Sequence, residues 1–292
     1  MISNLKKSIN IFFHEVYFKI INLFDKLIKS KIIVKTEDTK HNFTIFIKEN
    51  YFFKSLHINN TEIIQSKLYK KDPSHLSLIT SQALIIPTIL HENPTELLII
   101  GLGGGDIIRY YNKYFPNTNL TIVEKSNVII NLFMKHFSDE IQVNHNSNAN
   151  QNNTENLFNV INDDIFDLIK NQNKNINFTD KKFDTLIFDG FVDFNCINKV
   201  FLNTIFNKLN DNGIISFNFL FPNEQKFIQT LTIFQNYFKD NILIIYSNKI
   251  HNTIIIGCKS PHYTRYFKAL ESHNIIKNLH FNKKLGFIAE FT

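Results

Sequence analysis

The run from Glu96 to Glu124 constrains the fold more than any other part of the chain. Leu97-Leu-Ile-Ile100 is a short unbroken apolar run, as a strand buried on both faces requires. It breaks into Gly101-Leu-Gly-Gly-Gly-Asp106, a helical stretch follows, and a second strand, Thr121-Ile-Val123, ends in Glu124. Strand, glycine turn, helix, strand and acid, in that order, make half of a nucleoside-binding α/β unit. Gly101, Gly103 and Gly105 let the backbone turn tightly and approach a ligand where a Cβ would clash. Glu124 falls where such folds set a carboxylate on ribose hydroxyls.

The sixth position of the turn narrows the ligand. A dinucleotide site prefers glycine there, beside a pyrophosphate on the helix N-terminus. This chain has Asp106, whose carboxylate would repel a pyrophosphate, so NAD and FAD are disfavoured. A ribose nucleoside with a positive charge and no phosphate fits better, and S-adenosylmethionine and its decarboxylated form are such ligands. The plainer reading of Asp106 is a helix-capping acid, which is compatible with the first.

Around this unit, strands and helices alternate from residue 75 onward. The expected order is a helix over Leu76–Leu90, strand 96–100, helix 106–115, strand 120–124, helix 126–137, strand 156–162 and helix 164–170. Strand 183–188, helix 197–209, strand 213–218, helix 222–238, a hairpin from 241–246 to 252–258 and a helix near 263–278 complete it. Such alternation implies an α/β fold, a doubly wound seven-stranded Rossmann-like sheet of the class I methyltransferase-like kind. Its last strand is antiparallel, because a hairpin is no βαβ unit. Residues 31–74 differ: Lys31–Val34, Phe43–Ile47, Tyr51–Leu56 and Thr61–Gln65 read as short strands of a small antiparallel β-sheet. Residues 1–30 contain an amphipathic helix, with Ile9, Phe12, Phe13, Val16 and Ile20 at helical spacing. The expected domains are thus 1–30, 31–74 and 75–292. The asparagine-rich stretch 144–156 and residues 171–179 read as polar loops.

Composition excludes several classes. The apolar N-terminal run is interrupted by His14, Glu15, Lys19 and Asn22, too short and too charged for a transmembrane segment. The net charge of +6 is scattered and forms no basic stripe, so no nucleic-acid partner is expected. Cys196 and Cys258 lie far apart and no His or Cys stands at ligand spacing, so no metal is expected, and two cysteines suit a reduced, cytoplasmic chain. Ile, Asn, Lys and Phe are abundant, a bias that deprives single asparagines and lysines of meaning.

In an open parallel sheet, ligands lie at the carboxyl ends of the strands near the topological switch point. Four consecutive expected strand ends carry carboxylates: Asp106, Glu124, Asp163-Asp164 and Asp189. Glu124 can accept the ribose hydroxyls, and Asp164 the adenine amino proton, with Ile165 packed on the ring. Asp189 sits where the reacting centre belongs and can orient or deprotonate an attacking amine, or else caps loop amides. Asp193 can support it or lie in solvent.

These motifs resemble those of the spermidine synthase family of polyamine aminopropyltransferases, and more closely its spermidine-synthase-like relatives of unassigned substrate, over roughly residues 40–260. Ile64-Gln65-Ser66 is similar to the family's Gln-Ser, which implies that Gln65 contacts the nucleoside. Gly101–Asp106, Val123-Glu124 and Asp163-Asp164-Ile165 resemble the glycine turn, ribose and adenine motifs. Phe183–Asp189 resembles the strand whose last aspartate is the proposed catalytic base. The family's Glu-Ile-Asp becomes Glu124-Lys125-Ser126, and its Asp-Ser-Ser-Asp-Pro becomes Asp189-Gly-Phe-Val-Asp193. Its Tyr-His-Glu segment has no counterpart in Leu78–Gln82.

The resemblance implies transfer of an aminopropyl group from decarboxylated S-adenosylmethionine to an amine such as putrescine, and a homodimer paired through the N-terminal sheet. On that reading Asp189 holds the amine and Asp106 faces the donor's cationic amine. Two alternatives stay open: an S-adenosylmethionine-dependent methyltransferase on the same fold, and a catalytically inactive nucleoside- or polyamine-binding relative.

Overall fold

The structure is a computed structural model of the 292-residue chain. It describes residues 21, 25, 27–91, 93–138, 158–170, 181–190, 197–220, 224–247, 250–263, 266–267, 276–282 and 286–291. Residues 9–20 of the expected N-terminal helix, the loops at 144–156 and 171–179, and Asp193 and Cys196 lie outside the described residues.

Ile21, Asp25 and Leu27 are helical, and after them four strands, β1 (Lys31–Asp38), β2 (Phe43–Glu49), β3 (Phe53–Ile58) and β4 (Ile64–Tyr69), pair in that order in an antiparallel sheet. Two short helices follow, α1 (Ile79–Leu84) and α2 (Ile86–His91), where one helix over Leu76–Leu90 was expected. Pro87 has no N–H to offer the carbonyl one turn back, and the helix is interrupted at Ile85.

Next come β5 (Glu96–Ile100), α3 (Asp106–Tyr114), β6 (Asn119–Val123), α4 (Asn127–His136), β7 (Phe158–Ile161), α5 (Ile165–Lys170) and β8 (Phe183–Phe188). They are followed by α6 (Lys199–Lys208), β9 (Leu209–Phe219), α7 (Glu224–Phe238), β10 (Ile242–Ser247), β11 (Ile250–Cys258), β12 (Ile276–Asn282) and β13 (Gly286–Phe291). The second sheet runs β12-β13-β10-β11-β9-β8-β5-β6-β7. Its seven strands from β10 to β7 are the expected doubly wound sheet, with β11 inserted antiparallel between β9 and β10.

The sheet is wider than expected. Residues 276–278, assigned from sequence to a closing helix, belong to β12, which pairs with β13 as β13 pairs in parallel with β10. Backbone pairing along the open β10 edge overrides the local helical pattern there.

The two sheets share one core. Ile45, Ile47, Leu56 and Leu68 of the small sheet pack in the same buried cluster as Leu97, Ile99, Tyr111 and Phe133 of the large one. Phe188, Phe201, Phe217 and Phe234 fill the other face, with Phe188 and Phe217 stacked at 4.8 Å. The switch point lies between β5 and β8, whose parallel pairing divides the strands wound to one side from those wound to the other. The small sheet covers the glycine turn at that point. No helix among the described residues is long and apolar enough to cross a membrane.

Candidate functional site

The glycine turn is built from backbone that other residues resist. Gly101 has φ +98, and a Cβ there would lie 2.3 Å from the Asp189 carbonyl oxygen. Gly105, the N-cap of α3, has φ +73 and abuts the Phe133 ring. The strand ends therefore close on each other: Gly101 N–H donates to the Val123 carbonyl at 2.9 Å and Asp189 N–H to the Ile100 carbonyl at 2.8 Å.

This closure brings the four strand ends to one cavity. Asp106, Glu124, Asp163, Asp164 and Asp189 line it together with Gln65, Gly101, Gly103, Gly105 and Ile165. Phe43, Leu56, Ile58 and Phe166 supply apolar wall, so the acids stand around a largely apolar recess, the usual make-up of a small-molecule site. Among the described residues no group of three His, Cys, Asp or Glu side chains could hold a metal ion.

Each acid has defined partners. Glu124 is buried; one oxygen accepts the Leu102 N–H at 2.9 Å and the other the Ser126 N–H at 2.8 Å. Burial pushes its carboxyl above the ordinary range, although the Ser126 and Leu102 amides pull the other way. Each oxygen keeps a lone pair free to accept a further donor. Asp164 immediately precedes α5, its Oδ1 accepting the Phe166 N–H at 2.8 Å. Ile165 beside it is buried.

Asp106 is more committed than the sequence implied. Its Oδ1 accepts from Arg109 Nη2 at 2.6 Å and its Oδ2 from the Lys67 N–H at 3.1 Å, with both side chains of the ion pair buried. It makes no side-chain cap; the cap position belongs to Gly105. A donor ammonium at this point would share the carboxylate with Arg109.

Gln65 reaches the cavity through an irregularity. Leu56 pairs with Ser66 but His57 pairs with Ile64, so Gln65 is the extra residue of a β-bulge. A bulge re-aims a side chain relative to the alternation of its strand. Ser66 then lies across the turn beside Gly103 and Gly104, and Lys67 delivers its amide to Asp106.

Sequence reasoning missed the support of Asp189. Asn218 Nδ2 on β9 donates to Asp189 Oδ1 at 2.8 Å, and Asn252 Nδ2 on β11 donates to Asn218 Oδ1 at 2.7 Å. Burial holds the Asp189 carboxyl above the ordinary range, the Asn218 bond draws it down, and the Asp106 charge adds to the rise. Sequence reasoning also missed Asp38, whose carboxylate reaches Ser126 behind Glu124. The only sequence signal for Asn218 and Asn252 is their polarity beside apolar strand residues, which a chain rich in asparagine dilutes, and Asp38 follows Lys35-Thr-Glu37 with nothing to mark it.

The model of the family described as "Spermine/spermidine synthase domain" matches residues 78–246. A polyamine aminopropyltransferase of Buchnera aphidicola is 30% identical over 188 residues, 63% of this chain and 58% of that protein. An eEF1A lysine and N-terminal methyltransferase of Xenopus laevis is 28% identical over 228 residues, 72% of this chain and 29% of that protein. The chain thus spans less than two thirds of the length of these curated relatives. A spermidine synthase solved in complex with the transition-state analogue AdoDATO superposes with a TM-score of 0.57 at 17% identity, over 82% of this chain and 79% of that one. A probable spermidine synthase from Corynebacterium glutamicum reaches 0.61 at 16% identity, over 79% and 81%. These likenesses show a shared fold.

Proposed function

The chain belongs to the spermine/spermidine synthase domain family, and from that premise we propose that it transfers an aminopropyl group from decarboxylated S-adenosylmethionine to an amine such as putrescine. The observation that carries the reading is the convergence of Glu124, Asp164 and Asp189 from successive strand ends on one apolar-walled cavity. The donor is a cationic nucleoside without phosphate, and acids around apolar surface suit it. Glu124 takes the ribose hydroxyls, Asp164 the adenine amino group, Ile165 the ring face, and Gln65 closes over the nucleoside from the bulge.

Asp189 stands at the reacting end. The neutral acceptor nitrogen attacks the aminopropyl carbon next to the sulfonium. A C–N bond forms as the C–S bond breaks, the bonding pair returns to sulfur, and methylthioadenosine leaves as a neutral thioether. The surplus proton on nitrogen passes to Asp189 or through it to water. Such a displacement needs mainly alignment, so one well-held carboxylate suffices. Asn218 and Asn252 supply the holding.

Assembly as a cytoplasmic homodimer through the N-terminal sheet is part of the same proposal. Exposed Ile32 and Ile33 on the edge strand β1 support it; light scattering that gives the mass of one chain would remove it.

A second reading, methyl transfer from S-adenosylmethionine, draws on one feature. The Asp106–Arg109 pair neutralises the carboxylate that would otherwise repel the methionine carboxylate. Calorimetry with both donors separates the readings. Tighter binding of the decarboxylated form supports aminopropyl transfer, and tighter binding of the carboxylated form reverses the ranking.

A further inference from the structure

Ser126 stands where the resemblance carries a second acid two residues after Glu124, and it is fully buried. The structure sets a carboxylate against it from elsewhere. Asp38, at the end of β1 in the other sheet, is 3% exposed, and the Ser126 hydroxyl donates to its Oδ2. A serine hydroxyl has a single proton. With that proton on Asp38, the Ser126 oxygen is oriented to accept the Ile129 N–H at 3.1 Å and cap α4. The Ser126 N–H in turn donates to Glu124 Oε1 at 2.8 Å. Ser126 thus links Asp38 to Glu124, its hydroxyl held by one carboxylate and its backbone N–H bonded to the other, which faces the cavity.

The turn that delivers Asp38 also delivers cavity wall. Asp38 accepts the His41 N–H at 3.2 Å and lies 2.8 Å from His41 Nδ1, which pins the β1–β2 turn. Phe43 opens β2 opposite Asp38 and lines the cavity, with Lys125 Nζ 5.6 Å from its ring centroid. The small sheet thus grips the ribose end of the site from behind through Asp38 and from the side through Phe43.

We infer that Asp38 is a positioning residue for Glu124: by holding Ser126 from the N-terminal sheet it fixes the amide that orients the Glu124 carboxylate, and so makes ribose binding depend on the seating of that sheet. The inference rests on Glu124 as the ribose ligand. The rival role is a latch between sheets with no bearing on the ribose.

The test uses two probes, 5′-methylthioadenosine and its 2′,3′-dideoxy analogue, titrated calorimetrically into the 292-residue chain. Asp38→Ala weakens methylthioadenosine binding roughly tenfold, the scale of one charge-assisted hydrogen bond, and leaves dideoxy binding within about twofold of the parent. The exchanged double variant Asp38→Ser/Ser126→Asp returns the ribose nucleoside to within about threefold of the parent. Equal losses on both probes, no loss on either, or no recovery in a folded exchange variant would overturn the inference. If Asp38→Ala fails to fold, the exchange variant alone decides by its preference for the ribose probe, and unfolding of both makes Asp38 a latch. A parent protein that binds neither probe removes the nucleoside reading itself, and this inference with it.

Discussion

Asn218 donates its side-chain amide to the Asp189 carboxylate at 2.8 Å, and Asn252 donates to Asn218 at 2.7 Å. The candidate base at the end of β8 is thereby held by the two strands beyond it in the sheet. Replacing Asn218 with Ala removes that orientation without touching the nucleoside contacts. The expected result is a turnover loss of roughly tenfold, with donor binding unchanged. Asp189→Asn, which removes the base, costs about 10²- to 10⁴-fold. Steady-state kinetics alongside donor calorimetry check both, and a loss confined to donor affinity would contradict the assignment.

The same bond sets a pH dependence. Donation from Asn218 favours the ionised carboxylate, so its loss raises the Asp189 pKa further. A higher pKa means that the base is lost earlier as pH falls. The ratio of Asn218→Ala activity to parent activity, which cancels the acceptor amine's own ionisation, therefore declines from neutral toward acidic pH. A ratio flat with pH would leave Asn218 a purely steric role.

Gly101 carries the turn's geometry. Alanine there must adopt φ +98 and place its Cβ 2.3 Å from the Asp189 carbonyl oxygen, a backbone atom that cannot rotate away. Strained backbone of this kind costs of order 1–3 kcal/mol before the clash is counted. At about 2–4 °C per kcal/mol for a domain of this size class, Gly101→Ala lowers the melting temperature by several degrees. It weakens donor binding as well. A stable variant with parent affinity would mean that the turn is looser than described.

Asp184 gives a stability prediction away from the site. Burial works to raise its pKa, but Asn210, the Thr95 amide and hydroxyl, and the Glu96 amide outweigh it, and the net shift is downward. The Thr95 bonds are 2.8 Å and the Asn210 bond is 2.6 Å. A carboxylate with a depressed folded pKa adds stability above its unfolded pKa, about 3.9, and that stability fades as pH falls through the folded value. Asp184→Asn is expected to lose about 2 kcal/mol at pH 7 and less near pH 3. Denaturant melts at the two pH values check the sign; an equal loss at both would show that the charge contributes nothing.

The legible part of this chain is the part written locally. Gly101–Asp106, Glu124, Asp164 and Asp189 each close a strand, and strands in one parallel sheet bring their ends together whatever lies between. Gln65 needed the family likeness, because a bulge breaks the alternation that would predict its direction. Asp38, Asn218 and Asn252 act across strands far apart in sequence, and nothing local marks an asparagine as the partner of an aspartate in a chain full of asparagines. The Arg109 pairing of Asp106 was hidden differently: the i,i+3 spacing was visible, but its burial beneath β4 was not. The helical pattern over 263–278 fails at 276–278 because Ile276–Asn282 takes its form from pairing with β13 rather than from its own pattern.

The most direct test of aminopropyl transfer is mass spectrometry of the purified protein incubated with putrescine and decarboxylated S-adenosylmethionine. Aminopropyl transfer yields spermidine and methylthioadenosine in equal amounts, both formed at least about 10²-fold more slowly by Asp189→Asn. Neither product from the parent protein, or methylthioadenosine without an aminopropylated amine, would contradict it.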